Sequence, residues 1–544
     1  MAPLATAQNG EELASPKPGD WPVNGRTFDG QRFSPLQQIT PGNVDDLRLA
    51  WTRPLPWEGS VQITPIAYNG VMYVNMPTGI LALEGTTGNT IWEYQPELRE
   101  GAGVTMRGGV VVYDGKVYQS RTDGVVVALD AETGEELWAT PVTNIETGES
   151  FSAGPIFADS KIIVGPAGGD AGGNPGTIQA LDAETGEISW VFNVIPGPDD
   201  PEAFSTWEPK PTGGPGYGGG AAWSPGVYDE QTRTVLWGTG QPTPWDRYDL
   251  RQGSADLYTN SYVALDVDTG DIKWHYQVVK ADEWDLDQHA TPMVADVEVN
   301  GTPTRVAVLT TTTGFLITLN METGAFISGH SVAPEHTIHT GFEADGTPII
   351  DDSMRYETSG DQRMVCPFRW VNYELGSYSP DTGLLYRPSS NECWNLIVNA
   401  LPEDWQPGQQ AYNFDGPWEY DRNDFVGALS AINPATGEIV WQYEHGYAQR
   451  SGAVSTAGGL VFQSFPDRTL RAFDAKTGDV LWEQLVSSTT SGNPISYEAA
   501  GVQYVAVPLG GTGGAHMEGL PDVVAGPPAM FVFALPQNET QAQK

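Results

Sequence analysis

Basic residues, cysteines and long apolar runs are all scarce in this chain of 544 residues. Its 27 Lys and Arg stand against 69 Asp and Glu, which gives a formal net charge of −42. A nucleic-acid-binding surface needs clustered positive charge, so this balance excludes nucleic acid as a partner. No apolar run reaches the roughly 20 residues that a transmembrane helix requires, so the chain is predicted not to span a membrane.

The two cysteines, Cys366 and Cys393, belong to no CxxC or CxxCH motif. A zinc site, a dithiol redox centre and a covalently attached c-type haem are therefore not expected. The two thiols either form a disulfide, which would indicate an oxidising compartment, or remain buried and free. The chain begins MAPLATAQNG, without the charged and apolar regions of a signal peptide. We interpret this start as that of a mature, exported protein.

What the chain does contain is one phrase repeated seven times. In its fullest form, at residues 128–138, the phrase reads ALDAETGEELW. The other copies lie at 82–92, 180–190, 264–274, 318–327, 431–441 and 472–482. The copy at 318–327 has Ile327 where the others have Trp. Repeats at intervals of roughly 40–50 residues are typical of propellers and solenoids.

The phrase predicts a tight hairpin. An apolar strand ends at Asp or Asn, the turn passes through Thr-Gly, and a second strand ends in Trp. Asp and Thr can bond to the turn backbone, Gly takes a positive φ, and Trp has a large face to bury on the next sheet. Small sheets that pack on one another in this way form a β-propeller. The alternative is a β-sandwich of unrelated hairpins, which does not account for the regular spacing.

The prediction is an all-β, eight-bladed propeller. Seven phrases supply seven blades, and the first strand at 47–51 joins the last strand at 530–535 in an eighth, so that the ring has no free edge. Residues 1–20 are predicted to be a flexible segment, 21–536 a single catalytic propeller domain and 537–544 a disordered tail. The long intervals 190–264 and 327–431 are insertions of the kind that carry function.

Several motifs between the phrases resemble one enzyme family. They are NGRTFDGQRFSPLQQITPGNVDDLRLAW at 24–51, GGGAAW at 218–223, WGTGQPTPW at 237–245, DEWDLD at 282–287 and AVSTAGGLVFQS at 453–464. Together with the phrases they resemble the pyrroloquinoline quinone (PQQ) dependent alcohol dehydrogenases, which are eight-bladed quinoproteins. The resemblance covers nearly the whole chain and implies bound PQQ with Ca²⁺ or a lanthanide ion, without a haem domain.

The resemblance also assigns cofactor-binding residues. Trp223 matches the tryptophan that forms the floor of the PQQ site, where a flat indole suits a flat quinone. Arg107, in VTMRGG, matches the arginine that binds PQQ carboxylates. The remaining cofactor contacts that it implies are Gln62, Ser152, Gly168, Gly169 and Asn372.

The metal site is expected at two aspartates. Asp285 and Asp287 are two positions apart, so on an extended strand both carboxylates would lie on one face. By resemblance, Asp285 is the catalytic base, and Asp287 is the additional carboxylate of lanthanide-dependent members. Asp170 stands where the family has a metal-binding Glu, and Gln241 where it has an Asn. Oxygen ligands of this kind suit a hard cation, and calcium and lanthanide both remain open.

The chain departs from the family pattern at three places. Gly101 and Ala102 replace the adjacent cysteines that cover PQQ in many members. Thr312 replaces an Arg or Lys near the quinone oxygens, and Arg450 replaces a Trp. We expect Arg450 to contribute to cofactor binding by supplying the lost positive charge. Cys366 and Cys393 match a disulfide pair of the family, which favours a periplasmic location.

The resemblance implies oxidation of an alcohol to an aldehyde or ketone, with Asp285 taking the hydroxyl proton and electrons passing to a soluble cytochrome c or similar external acceptor. The departures suggest a bulky alcohol, a polyol or a sugar as substrate. The acidic surface either steers a basic acceptor or only maintains solubility. Two alternatives are a non-catalytic propeller that serves as a binding scaffold and a propeller hydrolase or lyase that uses a carboxylate pair. Neither has a reason to keep Trp223, Arg107, Asp285 and Asp287 together.

Overall fold

The computed structural model describes a ring of eight antiparallel sheets. It covers residues 10–57, 61–169, 173–207, 218–245, 254–400, 402, 414–419, 425–489, 491–510 and 526–537. Each blade contains four antiparallel strands, and we number the blades 1 to 8 in the order in which their innermost strands occur along the chain. The first strands of neighbouring blades contact one another and therefore line the ring axis. The predicted eight-bladed propeller is confirmed.

The strands of each blade are named here from the axis outward. Blade 1 contains Ile66–Tyr68, Val71–Met76, Gly79–Glu84 and Thr90–Tyr94, and blade 2 contains Val111–Tyr113, Lys116–Ser120, Val125–Asp130 and Glu136–Pro141. Blade 3 contains Ile156–Ala158, Lys161–Val164, Thr177–Asp182 and Ile188–Asn193, and blade 4 contains Val227–Asp229, Thr234–Gly238, Ser261–Asp266 and Ile272–Gln277. Blade 5 contains Met293–Val299, Thr302–Thr310, Phe315–Asn320 and Phe326–Ser331, and blade 6 contains Ser377–Ser379, Leu384–Ser390, Gly427–Ile432 and Ile439–His445. Blade 7 contains Ala453–Thr456, Leu460–Ser464, Thr469–Asp474 and Val480–Leu485, and blade 8 contains Ile495–Ala499, Val502–Leu509, Ala529–Ala534 and Arg48–Pro54.

Shorter elements connect the blades. Strand pairs form between Gln62–Ile63 and Arg107–Gly108, between Gly218–Gly219 and Pro242–Thr243, and between His339–Phe342 and Pro348–Ile350. A further small sheet contains Asp361–Val365, Cys393–Val398, Phe414–Asp415 and Trp418–Glu419, while Phe33–Ser34 pairs with the first strand of blade 7. The helices are Glu11–Ala14 and Pro201–Ser205, with 3-10 turns at Val44–Asp46, Ile145–Thr147 and Asp352–Met354. None of these described helices has the length and apolar character needed to cross a lipid bilayer.

The repeated phrase forms the hairpin between the third and fourth strands of a blade. In blade 2, one carboxylate oxygen of Asp130 accepts from the backbone N–H of Glu132 and of Thr133 and from the Thr133 hydroxyl, at 2.8–3.0 Å. Gly134 follows at a φ of +75°, which a residue with a Cβ adopts only at a cost. The side chain of Asp130 therefore fixes the turn that the sequence predicted.

In five of the seven phrases the tryptophan packs on a glycine of the next blade and so joins the two blades. Trp92 of blade 1 donates from Nε1 to the carbonyl of Ala131 in blade 2 at 3.1 Å. A Cβ on Gly134 would lie only 2.7 Å from the Trp92 ring, so the indole packs on the glycine backbone. The same contact pairs Trp138 with Gly186, Trp190 with Gly270, Trp274 with Gly324 and Trp441 with Gly478. Blade 5 lacks this tryptophan, and there His330 packs against Gly437.

Blade 8 closes the ring with the two ends of the domain. Arg48–Pro54 pairs antiparallel with Ala529–Ala534, as the sequence predicted. Trp51 then docks on Gly88 of blade 1, in the same way as the phrase tryptophans. The first and last strands of the domain thus pair with each other, so the ring closes without a free strand edge between them.

The segment expected to be flexible, residues 1–20, is described from Gly10 onward. Its part from Gly10 to Asp20 lies against the ring, because Leu13 is fully buried and the Gly10 N–H donates to the Tyr113 hydroxyl at 3.1 Å. Residues 1–9 and 538–544 lie outside the described residues.

Candidate active site

The predicted cofactor residues come together in one cavity of about 420 Å³. All but one lie in the segments that lead into the first strands of successive blades, and these segments converge at the ring axis. The exception is Gln241, which lies between the second and third strands of blade 4. Eight of the predicted residues line the cavity: Gln62, Arg107, Ser152, Trp223, Gln241, Asp285, Asp287 and Asn372. The cavity has the size of sites that hold small organic ligands, which span roughly 300–1,000 Å³.

An aromatic platform with positive charge lies on one side of the cavity. The Arg107 guanidinium carbon is 4.7 Å from the centre of the Trp223 ring, and the His289 ring stacks on the same indole at 4.0 Å with 29° between the planes. The Ser152 hydroxyl donates to the Trp223 carbonyl at 3.2 Å, and the Arg107 N–H donates to the Ser152 carbonyl at 2.7 Å. Gln62 pairs with Arg107 in a short parallel bridge. A flat anionic ligand fits such a surface, since it can stack and form ion pairs at once.

The two aspartates reach the cavity from a loop. The expectation of an extended strand over 282–287 is wrong: these residues lie between blades 4 and 5, and Asp285 has a φ of 63°. The left-handed turn directs Trp284 and Leu286 into the core, where both are fully buried, while both carboxylates line the cavity. A non-glycine residue in this region is strained, and such strain is typical of functional sites.

Asp287 and Gln241 are held beside each other. One Asp287 oxygen accepts from the Gln241 backbone N–H at 2.6 Å, and the other accepts from Nε1 of Trp223 at 2.8 Å. The Gln241 carboxamide is fully buried, and among the described residues neither its oxygen nor its nitrogen has a hydrogen-bond partner. An unsatisfied buried amide is costly, so this group is suited to bind something that enters the cavity.

Burial dominates the electrostatics of the site. It raises the pKa of Asp285 and of Asp287 above their usual range, and the nearby Arg369 guanidinium opposes that rise in both. Burial also lowers the pKa of His289 well below its usual range, so the imidazole is neutral at pH 7. Its Nε2 donates to Oδ1 of Asn372 at 2.9 Å, which orients both side chains. Two buried carboxylates near each other attract cations.

Arg369 is a site residue that the sequence reasoning missed. It lines the cavity, forms an ion pair with Asp285 and has a φ of 57°. The next residue, Trp370, donates its N–H to the carbonyl of Thr312 at 2.8 Å, so Arg369 is anchored beside the position where the family has its Arg or Lys. Its place in the long insertion between blades 5 and 6 was the only signal, and that signal does not single out one residue.

Some predicted residues lie elsewhere. Arg450 does not line the cavity. It is buried in ion pairs with Glu392 at 2.5 Å and with Glu374 at 3.4 Å, so the expectation that its charge reaches the cofactor is not supported by its position. Gly168 and Gly169 lie beside the cavity, next to Ala167, which lines it. Asp170 is outside the described residues.

The mouth of the cavity is formed by the loop that lacks the family's cysteines. Gly103, Val104 and Thr105, which follow Gly101 and Ala102, line the cavity, and Val104 is 78% exposed. Thr312 is fully buried and accepts from the side-chain amide of Gln288 at 2.8 Å, so it supplies packing and not charge.

Cys366 and Cys393 form a disulfide, as the resemblance implied. The bond ties the segment that carries Arg369 and Asn372 to the strand Cys393–Val398. The same segment is bonded through the Phe368 N–H to the carbonyl of Glu392 at 2.7 Å. The disulfide thus braces one wall of the cavity.

Comparisons with known proteins show the family of this chain. The family model for the β-propeller domain of glucose, ethanol and alcohol dehydrogenases (PQQ) matches residues 21–334 and 426–505. A quinohemoprotein alcohol dehydrogenase of Comamonas testosteroni is 32% identical over 540 residues, covering 95% of this chain and 76% of that protein. The quinoprotein alcohol dehydrogenase PedH of Pseudomonas putida is 33% identical over 545 residues, covering 94% and 89%.

A solved structure of a europium-containing methanol dehydrogenase has a TM-score of 0.87 at 27% identity, covering 96% of this chain and all of that one (100%). The chain belongs to the family of PQQ-dependent quinoprotein alcohol dehydrogenases.

Proposed function

We propose that this protein is a periplasmic dehydrogenase that oxidises a bulky alcohol, a polyol or a sugar to an aldehyde or ketone, with PQQ and a lanthanide ion in the axial cavity. The observation that carries the proposal is the convergence of Trp223, Arg107, Gln241, Asp285 and Asp287 on one cavity of about 420 Å³. When bound, PQQ supplies the two-electron acceptor and the cation supplies Lewis acidity.

The residues present fit PQQ, an anionic and planar group. Trp223 offers a flat indole, and the Arg107 guanidinium lies 4.7 Å from the centre of that ring. The guanidinium cannot lose its charge and suits a carboxylate. Gln62, Ser152 and Asn372 add polar groups to the same cavity. These residues hold and orient the cofactor in the proposal.

The metal ligands in the proposal are Asp285, Asp287 and Gln241, with Asp170 by resemblance. The unpartnered Gln241 carboxamide supports this assignment, because its oxygen is buried and free to bind a cation. Two adjacent carboxylates in a buried site favour an ion of high positive charge. That charge count, and the europium in the similar methanol dehydrogenase, favour a lanthanide over calcium.

Asp285 is the proposed catalytic base, since its carboxylate lies in the cavity and can take the substrate's hydroxyl proton. The ion pair with Arg369 opposes the rise in the pKa of this carboxyl that burial causes. We propose that Arg369 supplies the positive charge that the family's Arg or Lys provides at the position of Thr312. The bond from the Trp370 N–H to the Thr312 carbonyl supports this proposal, because it holds the residue next to Arg369 beside Thr312.

The substrate proposal depends on the cavity mouth. No disulfide covers the quinone face in this chain, since Gly101 and Ala102 occupy those positions. Val104 is largely exposed at the mouth and leaves room for a substituent larger than methyl. A wide mouth favours bulky alcohols, polyols or sugars over methanol.

The acceptor and the compartment follow from charge and redox chemistry. A net charge of −42 attracts a basic protein, so a soluble cytochrome c or similar acceptor is the proposed electron partner. The Cys366–Cys393 disulfide supports an oxidising compartment, and the periplasm is the proposed location.

The test is dye-linked oxidation by the apo-protein with PQQ and either Ca²⁺ or La³⁺, across primary alcohols, polyols and sugars. We expect turnover that requires PQQ and is greater with La³⁺. Asp285→Ala is expected to abolish turnover while PQQ stays bound, and Asp287→Ala to remove the preference for La³⁺. Turnover that persists in Asp285→Ala would remove the assignment of the base. Equal activity with both ions in the unaltered enzyme would remove the lanthanide assignment.

A further inference from the structure

A second cavity lies on the ring axis beyond the active-site cavity. The segments that line the first cavity continue into the second: Asn372 lines the first, and Leu375 and Gly376 line the second. In the same way, Trp223 and Ser152 line the first cavity, and Gly226 and Pro155, three residues further along each segment, line the second. The N-terminal stretch from Val23 to Arg32 covers this second cavity, which has a volume of about 40 Å³. The two cavities therefore follow each other along the axis.

The charge of this second cavity is unbalanced. Among the described residues that line it, two carry a formal charge, and both are arginines: Arg32 and Arg387. They are 1% and 3% exposed. A buried guanidinium cannot release its proton, so it needs a counter-charge close by.

Among the described residues, the Arg32 guanidinium donates hydrogen bonds only to neutral carbonyls. It donates to the carbonyls of Asn24 at 2.7 Å, Pro494 at 2.6 Å and Ala453 at 3.4 Å. The bonds to Ala453 and Pro494 connect the N-terminal stretch to blades 7 and 8. Burial lowers its pKa to about 9 without any compensating charge.

Arg387 is the unsatisfied member of the pair. In the described part of the chain, its Nε and Nη2 are buried without a hydrogen-bond partner. Glu374 attracts it electrostatically, but that carboxylate accepts from the Asn372 N–H at 2.6 Å and pairs with Arg450. Arg450 also forms an ion pair with Glu392 at 2.5 Å. Glu374 and Glu392 balance at most two of the three buried arginines Arg32, Arg387 and Arg450, so one positive charge is left over at the cavity that Arg32 and Arg387 line.

We propose that the second cavity binds a small monovalent anion, chloride or another halide, through Nε and Nη2 of Arg387. The volume of about 40 Å³ holds one such ion and one or two waters, since a water needs roughly 10–15 Å³ of this measure. Larger anions such as gluconate do not fit. The ion cancels the remaining charge and stabilises the closure of the ring by the N-terminal stretch.

The direct test is crystallographic, on the unaltered holoenzyme crystallised or soaked in sodium bromide. We expect an anomalous bromide peak in this cavity, within hydrogen-bonding reach of Arg387. Density for water alone, with no anomalous peak there at high bromide, would overturn the proposal. This experiment needs no variant and is independent of whether the proposed cofactor and metal assignments hold.

The second test measures thermal unfolding in sodium chloride and in sodium gluconate at the same ionic strength. The small anion is expected to raise the midpoint saturably above that in gluconate. Arg387→Met should abolish the difference, and Arg48→Met, at an exposed arginine of blade 8, should retain it. A chloride effect that is equal in Arg387→Met and in the unaltered enzyme would overturn the proposal, because it would reflect screening of the acidic surface. If Arg387→Met does not fold, the bromide experiment decides.

Discussion

Two glycines of blade 2 offer a test of the contact that joins the blades. Gly134 and Gly115 have nearly equal backbone angles, with φ at +75° and +72°. An alanine at Gly115 meets no heavy atom within 4 Å, whereas an alanine at Gly134 places Cβ 2.7 Å from two atoms of the Trp92 ring. Gly115→Ala therefore measures backbone strain alone, and Gly134→Ala measures strain plus displacement of the docked indole.

We expect Gly115→Ala to lower the free energy of unfolding by about 1–2 kcal/mol, which is the cost of a Cβ in the left-handed region. Gly134→Ala adds about 1–3 kcal/mol of overpacking and weakens the Trp92 bond to Ala131. The assay is denaturant unfolding followed by tryptophan fluorescence, or the rate of irreversible unfolding at fixed temperature. Equal destabilisation by the two substitutions would refute the argument that the indole packs on the glycine backbone.

Three further outcomes are expected. Arg369→Met should lower kcat/KM by about 10²–10³-fold because Asp285 loses its charged partner, and Arg369→Lys should recover part of that loss; unchanged kinetics would contradict the role. Burial lowers the pKa of His339 to about 3, so on acidification this histidine takes up its proton in the unfolded state first, near pH 6.5. The free energy of unfolding therefore falls by up to about 1.4 kcal/mol per pH unit between about pH 6.5 and pH 3. His339→Gln should flatten that acid-side loss in unfolding measurements between about pH 7 and 4.5. Replacing Cys366 and Cys393 by Ser, which opens a loop of 27 residues, should cost about 3–4 kcal/mol of unfolding free energy in thermal or denaturant unfolding, and a midpoint unchanged by reduction would contradict it.

The fold was predictable because its information is local and repeated. Every phrase contains the turn residues and the strand pattern, and all but the copy at 318–327 contain the tryptophan. Asp130, Thr133 and Gly134 make in the structure the contacts that their spacing indicates. The eighth blade could also be predicted, because a ring without free edges has to pair its first and last strands.

The site was predictable only where a motif carried it. Trp223, Arg107, Asp285 and Asp287 all reach the cavity, although the local argument for the two aspartates assumed an extended strand. A left-handed turn at Asp285 produces the same outcome by another geometry. Local sequence does not encode that turn strongly, because the buried Trp284 and Leu286 stabilise it through tertiary packing.

The sequence by itself determined the propeller and its blade number, because turn chemistry and side-chain periodicity act within a few residues. The class of enzyme and the disulfide pair followed from the resemblance of its motifs to a known family. The tertiary structure alone decided which charges meet. Arg369 reaches Asp285 across an insertion, and Arg450 forms ion pairs with Glu374 and Glu392. Two guanidinium nitrogens of Arg387 have no hydrogen-bond partner among the described residues. Ion pairing in a buried site depends on distances between residues far apart in the chain, and spacing along the sequence does not contain those distances.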